Sequence, residues 1–246
     1  MKRAQILLAL LVLLLVWQLT AVLLRQPILP TPLTVLQVFI GEIGGELGRH
    51  FLASFWRVMA SMLLSVALAA PAGLLLGQSK RLDRIFSPII YLLYPIPKVV
   101  LVPIVILFLG INDLSKIAMI FLILFFQILV LVRDQAASIR PELIYSVSSL
   151  GAGRRALFRF VYLPASVPGI LTALRQSIGT AVAVLYIVEL IATQRGLGYY
   201  IYLQGSTLFN YPKMYAGVVA MSLLGLGMYF TVDVLHRKLS PWQFVE

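Results

Sequence analysis

Apolar positions in this chain cluster into long runs, and polar residues are confined to the intervals between them. The alternation expected of half-buried strands is missing, and the runs reach the roughly 20 residues a helix needs to cross a bilayer. Six transmembrane helices are predicted, at about Ala4–Leu24, Phe51–Leu76, Ile85–Leu109, Ile117–Val132, Val167–Ile191 and Tyr215–Leu235. The expected fold class is an all-α integral membrane protein, one transmembrane domain over residues 1–246. The first run is too long for the 7–15 residue core of a signal peptide and no small-x-small cleavage site follows it, so it reads as a retained span.

Charge sets the orientation. With the N-terminus inside, the inner segments carry twelve cations: Lys2, Arg3, Lys80, Arg81, Arg84, Arg133, Arg140, Arg154, Arg155, Arg159, Arg237 and Lys238. The outer segments carry five: Arg25, Arg49, Lys116, Arg195 and Lys213. That asymmetry predicts both termini on the cytoplasmic side. It also accounts for the net charge of +11, in a chain 61% hydrophobic and only 12% charged, without a nucleic-acid partner. There is no cysteine and only two histidines, His50 and His236, so neither a disulfide nor a metal site is expected.

The intervals carry their own patterns. Pro27, Pro30 and Pro32 end the first helix, and Leu33, Leu36, Phe39, Ile40, Ile43 and Leu47 then recur at helical spacing, predicting a short amphipathic helix at the outer surface. The segment Leu197–Tyr211, with Tyr199, Tyr200, Tyr202 and Tyr211, reads as an interfacial anchor or, alternatively, a gate over a pore. Within the second run, Ala69, Gly73 and Gly77 allow close approach of another helix. The polar stripe Ser54, Arg57, Ser61 and Ser65 must face protein or water rather than lipid. Pro95, Pro97 and Pro103 break the third run and free backbone carbonyls that need partners.

Four ionisable residues fall at membrane depth, and each is a functional candidate on that ground: Arg57, Lys98, Arg175 and Glu189. Arg57 and Arg175 lie near enough to helix ends to snorkel outward and inward respectively, while Lys98 stands beside the Pro95-x-Pro97 break. Arg175 and Glu189 are spaced to share a face with Gly179 and Ala183, a wall unsuited to lipid that reads as translocation path or subunit seam. Lys98 serves either an anionic solute or the freed carbonyls.

The segment from Arg140 to Pro168 is polar and basic. A helix to about Leu150 is predicted, then a turn at Gly151-Ala152-Gly153, then a helix from Arg154 to Tyr162 that stops at Leu163-Pro164. With Gly151-Ala152, Phe158, Leu163-Pro164 and Pro168 at these spacings, the chain resembles the permease subunits of ATP-binding-cassette importers, whose cytoplasmic loop carries the EAA signature. The resemblance makes Glu142, Tyr145, Ser146, Ser149, Leu150, Gly151, Ala152, Arg154, Arg155, Phe158, Leu163 and Pro164 the ATPase-coupling loop, within about residues 136–166. Tyr145-Ser146-Val147 stands where Glu-Ala-Ala is usual, and Glu142 is the acidic group one helical turn earlier.

Further matches narrow the likeness to the nitrate/sulfonate/taurine-type branch. They are Leu29-Pro30 with Pro32, Ser54-x-x-Arg57, Pro95-x-Pro97 and Pro103, Gly110-Ile111, Ser115-Lys116, Glu189, Gly196-Leu197-Gly198 and Trp242. This implies a type I importer permease in the bacterial cytoplasmic membrane, working with a second permease copy, two cytoplasmic ATPase subunits and an extracytoplasmic binding protein. The solute implied is a small anion of the nitrate, sulfonate or taurine kind, with a pyrimidine precursor as the alternative. No cofactor is implied. Of the other classes, an ion-coupled secondary transporter would need inverted repeats or a deep coupling carboxylate. An enzyme would need a nucleophile and base, and the chain has neither a Gly-x-Ser-x-Gly elbow, a His-Glu-x-x-His helix nor an ATP-binding Gly-Lys-Ser/Thr loop.

Overall fold

The computed structural model describes residues 3–191 and 193–243; Lys2, one of the counted cations, lies outside them, as do the side chains of Arg3 and Arg154. Eleven α-helices are described: α1 (Arg3–Leu24), α2 (Pro32–Glu42), α3 (Glu46–Gln78), α4 (Lys80–Leu93), α5 (Val102–Leu109), α6 (Asp113–Ala137), α7 (Pro141–Ser148), α8 (Arg154–Leu157), α9 (Leu163–Leu190), α10 (Leu197–Tyr202) and α11 (Tyr211–Leu239). Five helical runs are long and apolar enough to cross a membrane, and the bent pair Lys80–Leu93 and Lys98–Leu109 makes a sixth if it counts as one span.

The third predicted helix is the one that differs most. Its two halves meet at 76°. Pro95 and Pro97 deny the helix two N–H donors, and the chain resumes as a 3₁₀ turn at Lys98–Leu101 before α5. The outer amphipathic helix is also shorter than predicted. It starts on Thr31, whose hydroxyl accepts from Thr34 N, and it stops at Glu42 because Gly44-Gly45 opens a turn into α3.

Contacts divide the chain into two compact units, Met1–Phe55 with Glu189–Leu224 and Trp56–Val188 with Gly225–Glu246. In the first, α1 exposes large apolar side chains on every side and buries little beyond Ala21, the surface of a lipid-facing helix. Trp17 Nε1 donates to Pro30 O at 3.1 Å and folds the following loop back. The buried core of this unit gathers Val35, Leu47, Leu197, Tyr200, Ala216 and Ala220.

In the second unit α3 packs on α6 through small residues, as the Ala69/Gly73/Gly77 spacing predicts. A Cβ added at Gly73 would stand 2.9 Å from Leu129 O, and one at Gly77 would strike Arg133 O and stand 2.6 Å from Ala136 Cβ, so the backbones all but touch. With lipid as apolar as leucine, such close packing supplies the dispersion that holds the pair. The serine stripe faces protein. Ser61 Oγ lies 2.7 Å from Arg57 O and 3.2 Å from Ile117 O, and Ser65 Oγ 2.7 Å from Ser61 O and 3.3 Å from Phe121 O.

The predicted stop at Leu163-Pro164 does not occur. Residues 154–190 form one helical run that widens into a π-turn at Phe158–Tyr162, where Leu163 N donates to Phe158 O. Widening to an i→i−5 pattern relieves the clash of a proline ring with the preceding turn, so Pro164 is absorbed rather than ending the helix.

Candidate functional site

The loop expected to couple to an ATPase is built from α7, a glycine turn and α8. Pro141 opens α7 at a position that needs no N–H, and Glu142 follows in the first turn, where its charge suits the helix dipole. The helix ends at Ser148, two residues before the predicted Leu150. Gly151 has φ +83, with nothing within 4 Å of where a side chain would begin, so glycine is required there by backbone conformation rather than by crowding. Ser146, Ser148 and Ser149 turn their hydroxyls back to the carbonyls of Glu142, Ile144 and Ser146 at 2.7–2.9 Å.

The hydroxyls thus serve the loop's own backbone, and its apolar side chains are left outward. Leu143, Tyr145 (71% exposed), Leu150 (84%), Phe158 and Phe160 all stand exposed. Glu142 and Arg155 are exposed among them, Ala152 and Pro164 are half-buried, and Leu163 is exposed. A structured segment with this apolar face is a candidate contact surface.

The four membrane-depth charges meet different fates. Arg57, 3% exposed, does not snorkel: its Nε and Nη2 bond Asp113 Oδ1 at 2.8 and 2.6 Å, at the N-terminus of α6. Lys98 Nζ donates to the carbonyls of Leu93, Tyr94 and Ile96 at 3.0, 2.9 and 3.3 Å and lies over the Phe126 ring. Those are carbonyls at the proline break, and three acceptors match the three donors of an ammonium. Arg175 pairs with Asp233 at 2.6 Å, contacts His236 Nδ1 at 3.2 Å and stacks over Tyr229. Asp233 also takes Arg237, one turn along α11.

Glu189 is fully enclosed. Ser54 Oγ bonds both its carboxylate oxygens at 2.8 Å, and Gly198 N donates to Oε2 at 2.9 Å. Leu197 N donates to the same Ser54 Oγ at 2.7 Å, and Gly196 N to His50 Nδ1 at 3.0 Å. Three successive backbone donors at the start of α10 are therefore each taken by a side chain, two from α3 and one from α9. Gly196, at φ +122, has the carboxylate packed where a Cβ would stand.

A family model matches residues 69–243, that of the binding-protein-dependent transport system inner membrane component. This chain belongs to that family. Among its relatives, the taurine transport system permease protein TauC of Escherichia coli is 33% identical over 239 residues, covering 94% of this chain and 86% of the relative. The formylaminopyrimidine transport permease protein ThiX of Halalkalibacterium halodurans is 29% identical over 234 residues, with 95% and 93% covered. A solved inward-facing structure of the MetNI methionine ABC transporter shares the fold, with a TM-score of 0.70 at 22% identity over 78% of this chain and 95% of the solved chain. The chain is a multi-pass permease of the ABC importer class.

In this permease the predicted wall along the fifth membrane helix is divided. Gly179 and Ala183 lie on an exposed line of α9 with Thr172 and Gln176, and nothing lies within 4 Å of the place a Gly179 side chain would fill. Arg175 turns to Asp233 and Glu189 to the α10 clamp instead. Sequence reasoning missed His50 as a clamp residue, weighing it only as a metal ligand. It also missed the Asp83–Arg133 pair at 2.6 Å; Arg133 and Ser87, both bonded to Asp83, border a cavity of about 520 Å³ between α4 and α6. Among the described residues no group of three or more His, Cys, Asp or Glu is placed to hold a metal.

Proposed function

We propose that this permease forms, with a second copy, the path for a small anionic solute of the sulfonate or taurine kind across the bacterial cytoplasmic membrane. ATP hydrolysis by two separate ATPase subunits drives it, and an extracytoplasmic binding protein delivers the solute. The observation that carries the reading is the loop from Pro141 to Tyr162, which is locally ordered yet turns Leu143, Tyr145, Leu150 and Phe160 outward. Tyr145 stands where the family's acidic residue is usual, so a ring fills the ATPase groove there and Glu142 supplies the charge one turn earlier. The loop joins α9 without a break, so a push on it reaches a spanning helix directly.

Both termini face the cytoplasm, following the cation count. The exposed, small and polar line Thr172, Gln176, Gly179 and Ala183 belongs to the path or the seam between copies, because such a line is poorly matched to lipid. Lys98 acts as a brace across the proline break. Arg57, buried, and Arg175, half-buried, act as the ion-pair partners of Asp113 and Asp233. Likeness to TauC favours a sulfonate, and likeness to ThiX supports a pyrimidine precursor as the second reading.

The test is uptake by proteoliposomes containing the permease, its ATPase and its binding protein, with labelled taurine and a formylaminopyrimidine as probes. Uptake that needs ATP and the binding protein is expected. Uptake driven by an ion gradient without ATP would replace the reading with a secondary transporter.

A further inference from the structure

Leu197–Thr207 lies within Leu197–Tyr211, the segment that the sequence leaves between an interfacial anchor and a gate. We infer that it is a fixed tie joining the start of α3, the end of α9 and the start of α11, and that Glu189 is the positioning residue that seats it. This rests on the permease reading for its consequence in transport, and on packing alone for its structure.

One end of the segment is held by the Glu189, Ser54 and His50 bonds to Leu197–Gly198 and Gly196 described above. Along its length it lies against α11. A Cβ at Gly217 would stand 2.8 Å from Ile201 Cγ1 and 2.9 Å from Tyr200 Cδ1, so the glycine is what lets the two elements meet. Leu197 and Tyr200 are fully buried, and Gln204 is 3% exposed. Burial holds the Tyr200 phenol above its ordinary range, with Glu42 and Glu46 adding to the effect, so no charge forms there to loosen the packing. The far end is closed by a π-turn with Leu208 N on Leu203 O, by Asn210 N on Gln204 O at 2.7 Å, and by Lys213 paired to Glu42 of α2 at 2.7 Å.

A gate would have to part these surfaces in every cycle. Doing so would strand an enclosed carboxylate and three backbone donors together. Tyr202 and the residues from Ser206 to Phe209 are exposed, and Tyr199, Leu203 and Gly205 are half-buried.

The chain lacks cysteine, which makes the test clean. A Cβ at Gly205 would stand 3.6 Å from Met214 Cβ, within the roughly 3.5–4.5 Å that a disulfide needs. The double variant Gly205→Cys/Met214→Cys is therefore spaced to close a bridge. In the complex with ATPase and binding protein, the oxidised variant should keep ATP turnover within about twofold of its reduced form, since no rate-limiting motion is blocked. A larger loss on oxidation, recovered with dithiothreitol, would show that the segment moves and overturn the tie.

Glu189→Gln in the purified permease should lower the melting temperature, and the bridge should restore both melting temperature and turnover. Unchanged melting, or lost turnover that the bridge does not rescue, would overturn the positioning role. If the wild-type complex shows no turnover at all, the permease reading itself fails. The melting temperatures still test the tie.

Discussion

Two short helices interrupt the long spans, and they are built in opposite ways. Leu197–Tyr202 buries four of its six residues, and its first backbone donors are taken by side chains from α3 and α9. Pro141–Ser148 buries none of its residues, and its serines return their hydroxyls to carbonyls within the same short segment. The first is fixed by contacts remote in sequence, reaching 146 positions for Gly196 and His50. Among the described residues, the side-chain hydrogen bonds of the second are all local. Local order with an exposed apolar face suits a piece that another protein grips, whereas remote order suits a piece that must hold still.

The comparison breaks first at Glu189. Glu189→Ala leaves Gly198 N–H and the Ser54 hydroxyl without their enclosed acceptor, and should lower stability by about 3 kcal/mol in thermal unfolding of the solubilised permease. A shift near zero would mean that the clamp is not holding α10. Gly196→Ala forces a side chain into a backbone region that is essentially glycine's alone and against the carboxylate, at about 2 kcal/mol, read in the same experiment. Ser54→Ala keeps the carboxylate but removes the hydroxyl that joins it to Leu197 N, and should cost about 1–2 kcal/mol. The matching change in the loop, Ser146→Ala, should stay within about 0.5 kcal/mol, because its hydroxyl serves only its own helix. Equal effects of the two serine changes would erase the distinction.

Much of the fold follows from local pattern. Apolar runs mark the spans, and the spacing of Ala69, Gly73 and Gly77 marks a close helix contact, though not that its partner is α6. Pro95 and Pro97 mark the break, but its 76° angle depends on how the chain resumes at Lys98, which no local pattern specifies. Pro164 misleads for a related reason: whether a proline ends a helix or is absorbed by a π-turn depends on which carbonyl lies five residues back and how it is packed. The turn between α7 and α8 is legible because its glycine is a local requirement, visible at Gly151.

The clamp is not legible in that way. Glu189 reads as a path or seam residue until His50, Ser54 and Gly196 are brought to it by folding. Likewise, Arg57 reads as a snorkelling cation until Asp113, 56 positions away, comes beside it.

Coupling through the Pro141–Tyr162 loop is the central claim, and Gly151→Val tests it most directly. A Cβ meets no neighbour within 4 Å at this site, so the permease should still insert, while φ +83 becomes costly for a β-branched residue and the turn between α7 and α8 is lost. In the complex reconstituted with its ATPase and liganded binding protein, stimulated ATP hydrolysis should be abolished. Stimulated hydrolysis at the wild-type rate by a correctly inserted Gly151→Val permease would contradict the account.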